Sequence, residues 1–410
     1  MQVLQTPLDI AEKYKTIKNA GVGSERLASK ILPIRDFNNW AKMAVIQLCY
    51  NYQKSRDISV LDLCCGKGGD LNKYARLGSV SYYAGVDITL HSLIEAIKRY
   101  NQKLCELNKN RKFGQPFQAD FTLADVMSAP LYKHFQKTKF DMVSCMFALH
   151  YAFQSKQTAD AFFGNVKNLM APNGSFVAVF PCKDTILKRL QEQGADLSQG
   201  NLVLKNSLYS IKFPNAVNFK ANLFGQKYIF DLDEAVGDTA EYLIDMRDFR
   251  ELCSQNQLTI KHHFPNLETL LQTDQIPQKA KQNFSNMMKR TAKFIFLLNQ
   301  NLNKGQKMTD DNFWDNIDEE QIDQINENQI QKITDLGQLP EEYLEVIRLY
   351  QAVMVVHTNP AEVKSCEKIR IPVPEARRAI DICNLTKEPI NLETLREEFK
   401  GEMWEPSVWM

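Results

Sequence analysis

The stretch Ile58-Ser59-Val60-Leu61-Asp62-Leu63-Cys64-Cys65-Gly66-Lys67-Gly68-Gly69-Asp70 constrains this chain more than any other. Val60 to Leu63 is a short apolar run of the kind that makes a buried strand. It runs into a turn holding Gly66, Gly68 and Gly69, where the lack of Cβ atoms lets the backbone bend sharply and approach a ligand. Leu71 to Leu77 reads as a short helix, and Tyr83 to Val86 as a second apolar strand ending in Asp87. A carboxylate at that place can accept two hydrogen bonds from a ribose diol. Strand, glycine turn, helix, strand, acid is the layout of a nucleoside-binding βαβ unit. The spacing is neither G-x-G-x-x-G nor G-x-x-x-x-G-K-[ST], which sets aside the dinucleotide fingerprint and the P-loop.

A chain of 410 residues holds one large or two ordinary domains with ample core. A net charge of +1 gives no global drive toward nucleic acid or a membrane, so any nucleic-acid contact must come from a local basic patch. No apolar run reaches 18 residues, and Met1 to Thr16 lacks the apolar core of a secretory signal, so no membrane association is expected. The nine cysteines include no C-x-x-C pair, which fits buried thiols in a reducing compartment. The six histidines include no H-x-x-x-H pair, and no G-x-S-x-G elbow occurs. No metal is expected, and metal-dependent or serine/cysteine hydrolase chemistry is unsupported.

Residues 1–30 read as an N-terminal helical segment, with a helix from Pro7 to Asn19. Trp40, Val45, Leu48 and Tyr52 follow helical spacing from Phe37 onward, with Asp36 placed to cap that helix. Lys42 falls one turn after Asn38 on the same face. From 58 to 180, strands and helices alternate, with strands expected at Phe117–Ala119, Asp141–Phe147 and Gly174–Phe180. This order predicts an α/β fold with a mostly parallel central sheet covered by helices on both faces. Ligands then sit at the carboxyl ends of the strands, where Asp87, Asp120 and Met146 to Tyr151 fall. Alternation at Tyr209–Phe213 and Lys227–Phe230 predicts an antiparallel insertion, about 200–232, over the pocket. A helix from Asp248 and a strand from Leu258 to Phe264 follow. Residues 271–340 read as a helical, partly acidic insertion, and Glu345 to His357 as a strong apolar strand of the core. Residues 358–410 read as a C-terminal extension of unassigned role, with a charged helix from Leu392 to Lys400.

The turn D-x-x-x-G-x-G-G-D is similar to that of Rossmann-like, class I S-adenosylmethionine-dependent methyltransferases. Three motifs in order, R-x-F-N-N-W-x-K (Arg35 to Lys42), L-D-L-x-C-G-K-G-G-D-L (Leu61 to Leu71) and H-Y-x-F (His150 to Phe153), resemble more narrowly the mRNA cap guanine-N7 methyltransferases. The likeness runs from about Ser29 to His357, implying a cap methyltransferase domain over 31–357. It implies methyl transfer from S-adenosylmethionine to guanine N7 of a GpppN cap. The implied donor-site residues are Lys42, Asp62, Cys64, Gly66, Asp87, Asp120, Met146 and Tyr151. Asn38, Asn39, Phe147, His150, Tyr151, Pro181, Glu241 and Tyr350 would surround the cap guanosine, with Lys67, Lys73 and Arg99 near its phosphates. The implied partners are capped RNA and a capping enzyme, RNA polymerase II or an activating subunit; the implied location is the nucleus.

The chemistry suits such a residue set. Guanine N7 has a lone pair and no proton, so no catalytic acid or base is required, and Glu241, His150 and Tyr151 would act by positioning. Holding the reactants in line supplies on the order of 7–11 kcal/mol. Two departures from the family pattern stand out: Cys64 occupies a glycine position, tolerable if its φ stays negative, and Met146 stands where Gln is common. They motivate the alternative of a non-catalytic cap- or RNA-binding paralogue; a small-molecule methyltransferase is the third reading. Taken singly, Glu241 also reads as a helix cap, Tyr350 as a strand aromatic, His150 as a core histidine, and Lys67 and Lys73 as solvated charges.

Overall fold

The computed structural model describes residues 29–53, 57–109, 116–135, 138–217, 224–303, 339–363, 381–385, 390–400 and 407–409. The helix expected at Pro7–Asn19, part of the insertion expected at 271–340 and parts of the extension expected at 358–410 lie outside the described residues.

The chain opens with α1 (Leu32–Tyr52) and then alternates: β1 (Ile58–Leu63), α2 (Leu71–Leu77), β2 (Val80–Asp87), α3 (Leu90–Lys109), β3 (Gln118–Leu123), α4 (Leu131–His134), β4 (Phe140–Met146), α5 (Lys156–Leu169) and β5 (Met170–Pro181). α6 (Lys183–Glu192) leads into β6 (Leu202–Lys205), β7 (Tyr209–Phe213), β8 (Lys227–Leu232) and β9 (Val236–Tyr242). Next come α7 (Met246–Gln255), β10 (Leu258–Phe264), α8 (Thr269–Gln272), α9 (Gln278–Asn303), α10 (Glu341–Arg348) and β11 (Tyr350–His357). β12 (Asp381–Asn384), α11 (Leu392–Glu398) and β13 (Ser407–Trp409) complete the described chain.

Nine strands form the main sheet in the order β10-β11-β5-β4-β1-β2-β3-β12-β13. β1 pairs in parallel with β2 and β4, β2 with β3, and β4 with β5; β11 runs antiparallel between β5 and β10. The order reverses direction at β1, so the carboxyl ends of β1, β2 and β4 open onto a crevice. Alternate residues of each strand enter two separate cores. Val60, Tyr83, Phe121 and Val177 pack with Phe37, Tyr74 and Ile97 of α1, α2 and α3. Leu61, Ala84, Val143 and Phe176 pack with Phe162, Val166 and Phe249 of α5 and α7. A sheet buried on both faces is what the near-continuous apolar strands dictate, and the Rossmann-like α/β reading stands.

Three local expectations are corrected. α1 begins at Leu32 with Pro33 in its first turn, where the missing N–H costs no helix bond, so Asp36 is an interior residue, 1% exposed, rather than the cap. Glu345 to Arg348 belong to α10, whose Tyr343, Leu344, Val346 and Ile347 are buried; the core strand starts at Tyr350. β6 to β9 form a four-stranded antiparallel meander reaching Tyr242, longer than the insertion expected at 200–232.

Candidate active site

A cavity of about 430 Å³ lies at the carboxyl edge of β1, β2 and β4. One wall is the glycine turn. Cys65 N–H donates to the Val86 carbonyl (3.0 Å) and Gly66 N–H to Asp87 Oδ2 (2.8 Å), tying the turn to β2. At Gly68, with φ +70°, a Cβ would stand 2.6 Å from Leu71 Cδ1 and 3.0 Å from Ala96, so only glycine fits. Cys64 is left-handed, with φ +58°. The condition set for tolerating a cysteine here, a negative φ, is therefore not met: the turn keeps its hydrogen bonds to β2, and the residue bears a strain of about 1–2 kcal/mol.

Asp87 is buried, and its Oδ1 accepts from Thr89 N–H at 2.9 Å. Burial raises its pKa against the opposing backbone hydrogen bonds of Thr89 and Gly66. Asp62 accepts from Ser144 Oγ (2.7 Å) and Tyr83 Oη (3.0 Å), and burial, with the nearby Asp70, pushes its pKa up to about 7. Asp70 behaves oppositely. Burial alone would raise it, but Lys42 (2.8 Å) and Lys73 (2.7 Å) outweigh that and hold it below the usual carboxylate range. Lys42 thus lines the cavity as half of a buried ion pair, its Nζ 6.0 Å from the centre of the Phe147 ring.

The facing wall comes from β4, the second sheet and β11. Phe147 follows β4 with φ +60°, its N–H held by the Val179 carbonyl at 2.7 Å. That turn sets its ring edge-on to Tyr350, 4.9 Å between centroids. His150 and Tyr151 follow in a 3-10 turn, their rings 4.2 Å apart. Glu241 arrives from β9, 4% exposed, accepting from Tyr228 Oη at 2.6 Å. Burial pushes Glu241 up to about 8, only partly offset by Tyr228, and drops His150 to about 3. Both are therefore neutral at pH 7, and their 3.5 Å separation is a polar contact between uncharged groups. Neither ring nitrogen of His150 has a hydrogen bond, nor does Asn38 Oδ1. These buried polar atoms line the cavity with no hydrogen bond to the protein, which leaves them able to bond a ligand.

Of the residues expected from sequence, Asn38, Lys42, Asp62, Cys64, Gly66, Asp87, Met146, Phe147, His150, Tyr151, Glu241 and Tyr350 line this one cavity. Six others do not. Asn39 turns toward α2, where its Oδ1 accepts from Lys73 Nζ at 3.0 Å, and Lys73 is also bound to Asp70. Pro181 sits opposite Tyr350 in the β5–β11 ladder. Lys67, whose pKa burial lowers, lies in the fields of Glu95 and Arg99, and neither it nor Arg99 reaches the lining. Asp120 is the sixth: β3 runs on to Leu123, so Asp120 is a mid-strand residue that accepts from Tyr82 Oη at 2.6 Å. The residue at the strand's mouth is Asp125, which lines the cavity and braces its own turn through Met127 N–H (3.0 Å) and Ser128 Oγ (2.7 Å). Phe121 and Leu123 continue the apolar alternation of β3, a signal that pointed to Asp125 rather than Asp120. Phe230 and Val236 of the second sheet also line the cavity and carried no sequence signal.

Comparison with known proteins accords with this geometry. An mRNA cap guanine-N(7) methyltransferase of Drosophila melanogaster is 34% identical over 242 residues, 57% of this chain and 55% of that protein. The mRNA cap guanine-N(7) methyltransferase 1 of Arabidopsis thaliana is 34% identical over 258 residues, 61% of this chain and 65% of that protein. The chain thus spans between about half and two thirds of the length of these curated relatives. Among solved structures, an S-adenosylmethionine-dependent methyltransferase from Clostridium acetobutylicum ATCC 824 aligns over 56% of this chain and 85% of its own, at 17% identity and a TM-score of 0.38. The family description that matches, over residues 5–354, is the mRNA (guanine-N(7))-methyltransferase domain, and the chain belongs to that family.

Proposed function

We propose that this protein methylates N7 of the guanosine that caps an mRNA 5′ end, with S-adenosylmethionine as donor. The observation that carries the reading is that Asp87 and Glu241, brought by two different sheets, line a single cavity. The donor fits the turn side. Gly66 and Gly69 line the cavity, and a Cβ added to either would meet nothing within 4 Å, which leaves room for a nucleoside against the backbone. Asp87 would accept from its ribose diol, Lys42 would attract its carboxylate and Asp62 its ammonium group. When bound, the donor supplies an electrophilic methyl on a positively charged sulfur.

The opposite wall suits a guanine. Glu241 would accept from N1–H and the N2 amine, giving up its own proton as it does so. Asn38 and His150 offer unpaired polar atoms to the nucleoside, and Phe147, Tyr151 and Tyr350 offer ring faces and edges to the base. Lys67 and Arg99 would contribute positive field toward the triphosphate. No residue needs to remove a proton from N7, and a histidine held at about 3 is poorly suited to do so. Positive charge passes to the purine during transfer, and the Glu241 carboxylate stabilises it where it develops. On this reading the protein acts on capped RNA in the nucleus, beside a capping enzyme, RNA polymerase II or an activating subunit.

The test is transfer of labelled methyl from S-adenosylmethionine to GpppA-RNA, with the product identified as N7-methylguanosine after nuclease digestion. Absence of product where a control enzyme works would overturn it. The strained Cys64 favours one competitor, a cap-binding protein that has lost its donor. Calorimetry with S-adenosylhomocysteine separates the two, since measurable binding excludes that competitor.

A further inference from the structure

The family match stops at residue 354, yet the chain returns to the main sheet beyond it. β12 runs parallel to β3 with Ile382, Cys383 and Asn384 opposite Phe121, Thr122 and Leu123. The Leu385 amide then donates to the Leu123 carbonyl at 2.9 Å. Leu123 is the last residue of β3, and the four that follow, Ala124 to Met127, line the cavity. On the other side the Ala124 amide donates to the Asp87 carbonyl at 2.9 Å. The mouth of β3 is thus gripped between β2 and β12.

α11 holds the neighbouring element. Lys98 of α3 pairs with Glu398 at 3.1 Å and stands 5.7 Å from the centre of the Phe399 ring. Leu395 and Phe399 are 1% and 3% exposed, so this is a packed anchor rather than a surface ion pair alone. The residues opening α3, Thr89 and Ser92, also line the cavity. The extension therefore attaches to the two elements that supply the wall beside Asp87. Stripped of β12, β3 would be an edge strand, and strand ends at a sheet edge open locally at low free-energy cost.

We propose that β12 and α11, within residues 381–385 and 390–400, form a brace that positions the donor-binding wall, fixing Ala124 to Met127 against the start of α3 and so raising affinity for the adenosine half of the donor. The proposal rests on the donor reading above. It makes Lys98, Ile382 and Phe399 positioning residues that touch no substrate.

The experiment uses the full chain with Lys98→Ala and Phe399→Ala combined, and Ile382→Asp as a second route to detachment. Calorimetric Kd for S-adenosylhomocysteine is expected to rise about fivefold or more, the scale of ordinary site-to-site coupling. Donor KM should rise with it, while KM for GpppA-RNA and kcat at saturating donor stay unchanged. Lys98→Arg, which keeps the charge over Phe399, should restore donor affinity. Because coupling is reciprocal, S-adenosylhomocysteine should slow hydrogen exchange at the Leu385 amide of the unmodified protein. Unchanged donor affinity despite fast exchange at Leu385, or equal loss on the donor and acceptor sides, would overturn the brace. Failure of the unmodified protein to bind S-adenosylhomocysteine would instead sink the donor reading itself.

Discussion

The two walls of the cavity handle burial in opposite ways. On the turn side, Asp70 is kept ionised out of water because Lys42 and Lys73 both reach it. On the facing side, Glu241 and His150 are equally buried but have no counter-charge, and both are neutral. A buried charge survives only where partners offset its desolvation. The Asp70 cluster is thus set before any ligand arrives, whereas Asp62 beside it, raised to about 7, is not. On the proposed reading the neutral wall changes protonation when the cap binds, so the two halves should respond differently to mutation and to pH.

The largest expected effect separates them directly. Glu241→Ala should reduce kcat/KM for GpppA-RNA by about 10²–10³, the usual cost of removing a donor or acceptor aimed at developing charge. Its Kd for S-adenosylhomocysteine should stay near normal. Calorimetry on the same sample checks this, and equal damage to both ligands would erase the distinction between the walls.

Next is Asp87→Asn. It should weaken donor binding by about 10–100-fold, from the loss of charge-assisted bonds worth about 1.5–3 kcal/mol. Cap affinity should be spared. Asp87 also holds Gly66 N–H, so a thermal melt must accompany the titration.

How far this division could be read from sequence depends on the wall. The turn side was legible almost whole, because Leu61 to Asp70, Asp87 and the Asn38/Lys42 spacing are local patterns with one backbone solution. Its failure is Asp120, because an end at Ala119 stops β3 two alternations short of Leu123. Asn39 failed for a tertiary reason: it lies about 100° round the helix from Asn38 and turns toward α2, where Lys73 holds its Oδ1. The facing wall is assembled from β4, β8, β9 and β11, and no local pattern announces that Phe230 and Tyr350 line one cavity across such separations. Glu241 was found there by family likeness, not by periodicity. The brace on β3 was invisible for the same reason, since Ile382 and Phe121 are far apart in the chain and paired only in the sheet.

The third prediction concerns protons. Glu241 has its pKa raised to about 8 and must be ionised to accept from guanine, so binding expels a proton below that pH. Cap affinity should therefore climb by about tenfold per pH unit toward pH 8 and then level. Glu241→Gln should flatten the climb, and a flat profile for the unmodified protein would contradict the neutral-wall account. Stability carries the opposite sign. Glu241 and Asp62 have folded pKa values above their unfolded ones, so their contribution is complete below about pH 4 and is lost as pH rises toward 8 and 7 respectively. Asp70 runs the other way, its contribution being present above about pH 4 and lost on acidification. Melting temperatures of the unmodified, Glu241→Gln and Asp70→Asn proteins across this range resolve the three.

The smallest effect is at Cys64. Cys64→Gly relieves the left-handed strain but adds unfolded-state freedom, leaving a net stabilisation of about 1 kcal/mol or less. Donor affinity should be kept or improved. A thermal shift with and without S-adenosylhomocysteine measures both, and a loss of affinity would mean that the sulfur itself contacts the donor.

That thiol has a chemical consequence beyond its dihedral angle. A cysteine facing an alkylating sulfonium invites suicide methylation, which the thiolate alone performs at a useful rate. Contact with the neighbouring Cys145 thiol, then burial and the carboxylates of Asp87 and Asp125, push Cys64 well above the ordinary thiol range. The sulfur stays protonated and inert, and the reagent is spared for its intended nucleophile.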